Sequence, residues 1–162
     1  MSDNMVKLYN ETARTQGISK DNMIAIQGDL LAPSQEMIDS MKASQYEDFN
    51  IIVMSMALHH VSDPQLMLTR LVERLAEGGT ILIIDWANEA VYSWPSTEAL
   101  KKAGLEDVKH TLNDAVFSEE SVVKLLKDAG CKTAEFVLSP EASTLPLEFG
   151  GEKRMFFGLG RK

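Results

Sequence analysis

Hydrophobic positions along the chain recur at helical spacing in some stretches and as short apolar runs in others. Over residues 3–16, Met5, Leu8, Tyr9 and Thr12 fall at three- and four-residue steps on one face, with Asp3 placed to cap the start and Gly17 to end the helix. Met23-Ile24-Ala25-Ile26-Gln27 then reads as a short strand closed by Gly28-Asp29. A weaker amphipathic pattern, Met37, Ile38 and Met41 behind Ser34, predicts a helix over 34–44. The continuous apolar run from Phe49 to Met54 predicts a strand covered on both faces.

Asp63-Pro64 is a helix start, an acid at the N-cap followed by proline at the first helical position. Leu66, Met67, Leu71, Val72 and Leu75 carry its apolar stripe toward Gly78-Gly79. Thr80 to Ile84 is a second buried strand, ending at Asp85-Trp86. Residues 88–116 are the least regular part, with a helix predicted around 96–103. Ser118 opens a helix with Val122, Val123, Leu125, Leu126 and Ala129 on its apolar face and Gly130 at its end. Thr133–Leu138 and Arg154–Leu159 read as strands joined by a long, turn-rich loop. Strands alternating with helices and then two consecutive strands predict one α/β domain over 1–162, its sheet mostly parallel with a C-terminal antiparallel pair.

Composition narrows the function classes. The chain has 162 residues, 44% of them hydrophobic, which is enough for a real core. Sixteen basic residues face 24 acidic ones, a formal charge of −8, and no Lys/Arg run exceeds two. That balance argues against a nucleic-acid or anionic-membrane surface and toward a small-molecule ligand or a protein partner. Cys131 has no second cysteine to pair with, which fits a reducing, cytoplasmic setting, and its place after Gly130 suits a buried structural thiol. The N-terminal residues form no apolar signal region, and the apolar stretches near 51–58 and 81–84 are short of a membrane span.

Four stretches resemble the class I S-adenosylmethionine-dependent methyltransferases of the small-molecule type, which have a Rossmann-like core. "DNMVKLYNETARTQG" is similar to the helix after that fold's second strand, and "AIQGDLL" to its third strand. "FNIIVMSMALHHVSDPQLMLTRLVERLAEGGTILIIDWA" resembles the fourth strand, the next helix and the fifth strand. "VFSEESVVKLLKDAGC" with "EKRMFFGLGRK" resembles the last helix and the final strand pair. The resemblance implies a sheet incomplete at its first two strands. It also implies the loss of the glycine-rich turn after the first strand, where the backbone approaches the cofactor's methionine end. The glycine pairs of this chain stand elsewhere, at Gly78-Gly79, Gly150-Gly151 and Gly158-x-Gly160. Two apolar edges, 23–27 and 50–54, are then orphaned, and the expectation is that they pair with each other or that a second protomer or partner covers the gap.

The same resemblance places Gly28, Asp29 and Leu30 where the family holds adenine, and Ser55 at the cofactor edge of the fourth strand. His59 and His60 follow that strand at its carboxyl end, where open α/β sheets bind ligands. On a strand two adjacent residues point to opposite faces, so the pair is poorly placed to chelate one metal. One of them, with Asp85 at the end of the next strand, is a candidate for acid–base work, against the plainer reading of turn and cap hydrogen bonds. Tyr92, Trp94 and Glu89 are further candidates to line the pocket. The expected function is that of a methyltransferase-like protein with a degenerate cofactor site. It binds S-adenosylmethionine weakly or not at all and uses the remaining pocket for cyclisation or isomerisation of a small apolar metabolite. The alternatives are an S-adenosylmethionine-dependent small-molecule methyltransferase, completed by a second chain or shortened in the given sequence, and a non-catalytic accessory or dimerisation module.

Overall fold

The computed structural model of the protein describes residues 3–32, 44–87, 97–102, 117–144 and 152–162. They belong to two compact units, Met1–Ser44 and Gln45–Lys162.

In the first unit, α1 (Asp3–Thr15) ends in a Schellman turn. Gly17 takes φ 76°, its N–H donates to the Arg14 carbonyl, and the Ile18 N–H reaches back to the Ala13 carbonyl. Ala13 is the buried residue of this helix, whereas Met5, Leu8 and Tyr9, the stripe expected to face a core, are exposed. The strand expected over 23–27 is not formed; these residues run without regular structure. The side chain of Asn10 explains why. Its Oδ1 accepts the Ala25 N–H at 2.8 Å and its Nδ2 donates to the Ala25 carbonyl at 2.9 Å, taking both backbone groups that a neighbouring strand would use. The described sheet accordingly contains no strand from 23–27. The helix expected over 34–44 lies outside the described residues except for Ser44, which opens a 3-10 turn, Ser44–Tyr46.

The second unit is built on four strands: β1 (Phe49–Ser55), β2 (Leu75–Trp86), β3 (Thr133–Thr144) and β4 (Glu152–Arg161), ordered β1-β2-β4-β3. β1 and β2 are parallel, joined through α2 (Pro64–Glu73); β4 lies antiparallel to both β2 and β3. The α/β class and the antiparallel pair at the C-terminus are as the sequence pattern predicts. The parallel part of the described sheet is one pair, with β1 at its edge. α2 starts as read, with Asp63 Oδ1 accepting the Leu66 N–H at 2.9 Å and Pro64 in the first turn. A short helix, α3 (Thr97–Lys102), stands where one was expected. α4 (Glu119–Asp128) starts on Ser118, whose hydroxyl accepts the Ser121 N–H, and stops at Gly130, φ 105°.

Two boundaries differ from the periodic reading. The helical stripe does not run to Gly78-Gly79: α2 stops at Glu73, and Leu75 already pairs with Phe49. Gly78 and Gly79 belong to β2, with the Gly78 N–H donating to the Lys162 carbonyl and the Lys162 N–H to the Gly79 carbonyl. β3, in turn, continues through Pro140 to Thr144, with a register slip between Leu138 and Ala142 that absorbs the proline.

The core of this unit lies on one face of the sheet. Ile81, Ile83 and Asp85 of β2 and Phe156, Gly158 and Gly160 of β4 are buried there, with Val122 and Leu126 of α4 and Leu68 and Val72 of α2. Gly158 and Gly160 let α4 approach: an added Cβ would lie 2.8 Å from Val122 Cγ1 at the first and 2.6 Å from Cys131 Sγ at the second. Cys131 is buried as expected, and desolvation pushes its thiol pKa up, so it is a packing residue rather than a thiolate.

Candidate functional site

The parallel strands β1 and β2 deliver the central features of the site. Just past the end of β1, Met56 adopts φ 51° and donates its N–H to the Ile84 carbonyl at 2.8 Å, so the chain turns over the end of β2. The next residues wind into a 3-10 turn, Leu58–His60, with Leu58 and His59 buried. The two histidines therefore do not stand on opposite faces of a strand. Their ring centroids are 4.0 Å apart with planes inclined by 45°, His59 turned into the protein and His60 exposed.

Asp85 explains this arrangement. It is fully buried on β2, and its carboxylate accepts three N–H groups. Oδ1 meets His59 Nδ1 at 2.6 Å and the Trp86 N–H at 2.8 Å, and Oδ2 accepts the His59 N–H at 3.1 Å. A buried carboxylate without such donors would be costly; with them it locks the turn to the strand. The contact also fixes the tautomer. A carboxylate brings no proton to the contact, so Nδ1 is the donor toward Asp85. The sequence candidates His59, His60 and Asp85 are thus brought together. Ser55, the last residue of β1, pairs with Ile84 and is exposed at the same end of the sheet.

Gly28, Asp29 and Leu30 belong to the first unit. Asp29 is exposed, and its Oδ1 accepts the Leu31 N–H at 2.9 Å, an Asx turn of the kind that ends an extended segment. Glu89, Tyr92 and Trp94 lie outside the described residues. A groove of about 420 Å³ opens between the start of α2 and α4, lined by Ser62, Asp63, Phe117, Lys124, Leu125 and Asp128 among others. A second cavity, about 560 Å³, lies in the first unit between α1 and residues 18–24. Among the described residues no group of three or more His, Cys, Asp or Glu side chains is placed to hold a metal ion.

Lys153 was not among the residues the sequence singled out. The Ala87 N–H donates to the Arg154 carbonyl at 2.9 Å, which puts the start of β4 beside the carboxyl end of β2. Lys153 is buried there, and burial pushes its ammonium pKa down. In sequence it sits within Glu152-Lys153-Arg154, which reads as a solvated strand end and gives no hint of burial.

The family model of the methyltransferase domain matches residues 9–135, most of the chain and all of the β1–α2–β2 segment that carries this site. The chain belongs to the methyltransferase domain family. An uncharacterized methyltransferase of Schizosaccharomyces pombe is 24% identical over 146 residues, covering 88% of this chain and 48% of that protein. The chain thus spans about half the length of this methyltransferase relative. Among solved structures, the YcgJ protein of Bacillus subtilis superposes with a TM-score of 0.59 at 13% identity, over 99% of this chain and 79% of that one. PigF, solved with SAH, gives 0.61 at 14% identity, over 100% of this chain and 41% of that one. At these identities the structures show the methyltransferase fold.

The fold family implies S-adenosylmethionine, and the residues present fit it in part. Each unit presents one of the polar residues that the resemblance singles out, the exposed Asp29 in the first and the exposed Ser55 in the second. Three of the glycines are close-packed against protein atoms. At Gly79 an added Cβ would meet the Phe49 carbonyl at 2.8 Å, and at Gly158 and Gly160 it would meet the side chains of α4 and its C-terminal turn. The left-handed glycines Gly17 and Gly130 end helices, and Gly78 bends β2 against Lys162. Gly17, Gly78, Gly79, Gly130, Gly158 and Gly160 of this methyltransferase-family chain are thus committed to packing and turns.

Proposed function

We propose that this chain is a methyltransferase-fold protein with a reduced cofactor site, working at the carboxyl edge of β1 and β2 on a small apolar molecule by moving a proton. The observation that carries this reading is the buried Asp85–His59 pair directly beneath the exposed ring of His60. His60 is the group that meets the ligand. Its imidazole accepts a proton from one atom of the ligand and returns it to another, the balance of an isomerisation or a cyclisation without net redox change. His59, held by Asp85 at two points, positions that ring from below and resists its displacement. The groove between α2 and α4 would take the body of the ligand, its apolar part against Phe117 and Leu125.

A second reading has its own support. The family match and the structural likeness to PigF, solved with SAH, favour S-adenosylmethionine-dependent methylation, with the rest of the cofactor site supplied by a further chain or segment.

Imidazole-resolved NMR tests the assignment of roles. A downfield Nδ1–H resonance from His59 should persist in the free protein, and a fragment set of cyclic enones and aromatic alcohols should shift the His60 ring. His60→Gln should abolish fragment binding and leave the His59 resonance in place. Fragments that bind without moving His60, or a set in which none bind, would remove the proposal.

A further inference from the structure

The carboxyl edge of the sheet carries backbone strain at one residue. Among the described residues, two that are not glycine take left-handed φ, Asp48 at 56° and Met56 at 51°. Asp48 is of the type that tolerates this region, because a short polar side chain can bond to the local backbone. A methionine has no such compensation, and its Cβ crowds the following carbonyl. The conformation is imposed on Met56 by its surroundings. Its N–H is held by the Ile84 carbonyl at 2.8 Å, and three residues further on Asp85 grips His59 at both the ring and the backbone.

None of these contacts uses the Met56 side chain. Glycine at this position would make the same turn without the crowding. What methionine supplies and glycine does not is a half-buried thioether, in the stretch that runs from the exposed Ser55 to the exposed His60. Strain of this kind clusters where a protein clamps a ligand, and the carboxyl ends of strands are where open α/β sheets take theirs. We propose that the Met56 thioether is a ligand-contacting, specificity-determining group that selects an unsaturated or aromatic ring. Its sulfur is polarizable and makes favourable contacts at ring edges, and its unbranched chain adapts to the shape it meets. The inference rests on reading this edge as the place where a ligand binds, and it narrows the small apolar molecule to one that carries a π-system.

Methyl-labelled methionine tests it on the full chain. The chain has nine methionines, and Met56→Leu, close to methionine in volume, assigns the Met56 methyl resonance by its absence. The probes are the cyclic enones and aromatic alcohols, their saturated counterparts and, separately, S-adenosylhomocysteine. The unsaturated probes should shift the Met56 methyl, and the saturated ones should bind roughly two- to tenfold more weakly. Met56→Gly should melt no lower than the parent, because the strain leaves with the side chain, and should lose the preference for unsaturated rings. Probes that shift the His60 ring and leave the Met56 methyl unmoved overturn this inference and spare the proton-transfer reading. A probe that shifts the Met56 methyl and not His60 does the reverse. A Met56→Gly protein that melts below the parent shows a side chain committed to packing and overturns the inference. Equal binding of saturated rings, or a Met56 methyl that no probe moves, overturns it as well.

Discussion

Gly160→Ala is the substitution whose consequence can be worked most directly from the packing. Gly160 lies in the interior of β4, hydrogen-bonded into the sheet between Ile81 of β2 and Ala134 of β3, so its backbone has little room to retreat. A methyl group there would stand 2.6 Å from Cys131 Sγ, 3.0 Å from Ile81 Cγ2 and 3.2 Å from Leu126 Cδ2. All three neighbours are core side chains, and comfortable carbon contacts begin near ~3.5 Å. Overpacking of this kind costs roughly 1–3 kcal/mol, and three simultaneous overlaps place Gly160→Ala at about 2–3 kcal/mol. The general gain of replacing glycine within a strand, about 0.5–1 kcal/mol, offsets a minor part of it. For a chain of this size the melting temperature should fall by roughly 4–12 °C. Urea unfolding at fixed protein concentration measures the change. Cys131→Ala, which removes the nearest overlapping atom, should recover about 1 kcal/mol of it in a double-mutant cycle. A Gly160→Ala protein within about 0.5 kcal/mol of the parent, or strictly additive effects of the two substitutions, would refute the claim that these glycines exist for α4 to dock.

Two further outcomes follow from the buried charges. Asp85→Asn replaces a carboxylate that accepts three N–H groups with an amide that accepts through one oxygen. It should cost about 2–4 kcal/mol in urea unfolding and abolish the downfield His59 resonance, whereas equal stability would show the pair to be incidental. For Lys153 the folded-state pKa lies below the unfolded value because burial disfavours the ammonium. The unfolded chain then binds the extra proton. The penalty is fully present below the folded pKa and is relieved as pH rises from there toward the ordinary lysine value of 10.5. The stability difference between the parent and Lys153→Met should therefore move in the parent's favour as pH rises through that window; a difference independent of pH would contradict the assignment.

The sequence was most legible where local chemistry and packing agree. Asp63-Pro64 and Ser118 announce α2 and α4 because a side-chain acceptor must satisfy the first N–H groups, whatever the helix later packs against. The apolar run of β1 and the paired ends at Ser55 and Asp85 placed His59, His60 and Asp85 together, since parallel neighbouring strands end at the same edge. What pattern could not show was decided by single tertiary contacts. Asn10 captures Ala25 and dissolves the expected strand, and Lys162 draws Gly78 and Gly79 into β2 when periodicity reads them as the end of a helix. The division of labour between the two histidines turns on a 3-10 turn, which has no hydrophobic period. Lys153 is buried by the register of β4, a long-range pairing invisible in a run of charged residues.

The central proposal is that this methyltransferase-family chain works through the carboxyl-edge acid–imidazole pair with a reduced site for the cofactor. Calorimetric titration of the purified chain with S-adenosylmethionine tests it most directly. The account predicts a dissociation constant of about 0.1 mM or weaker, a binding free energy no better than roughly −5.5 kcal/mol. Saturable one-to-one binding near ~1 μM, about −8 kcal/mol, would contradict it, because that affinity requires contacts to the methionine and ribose that a reduced site lacks.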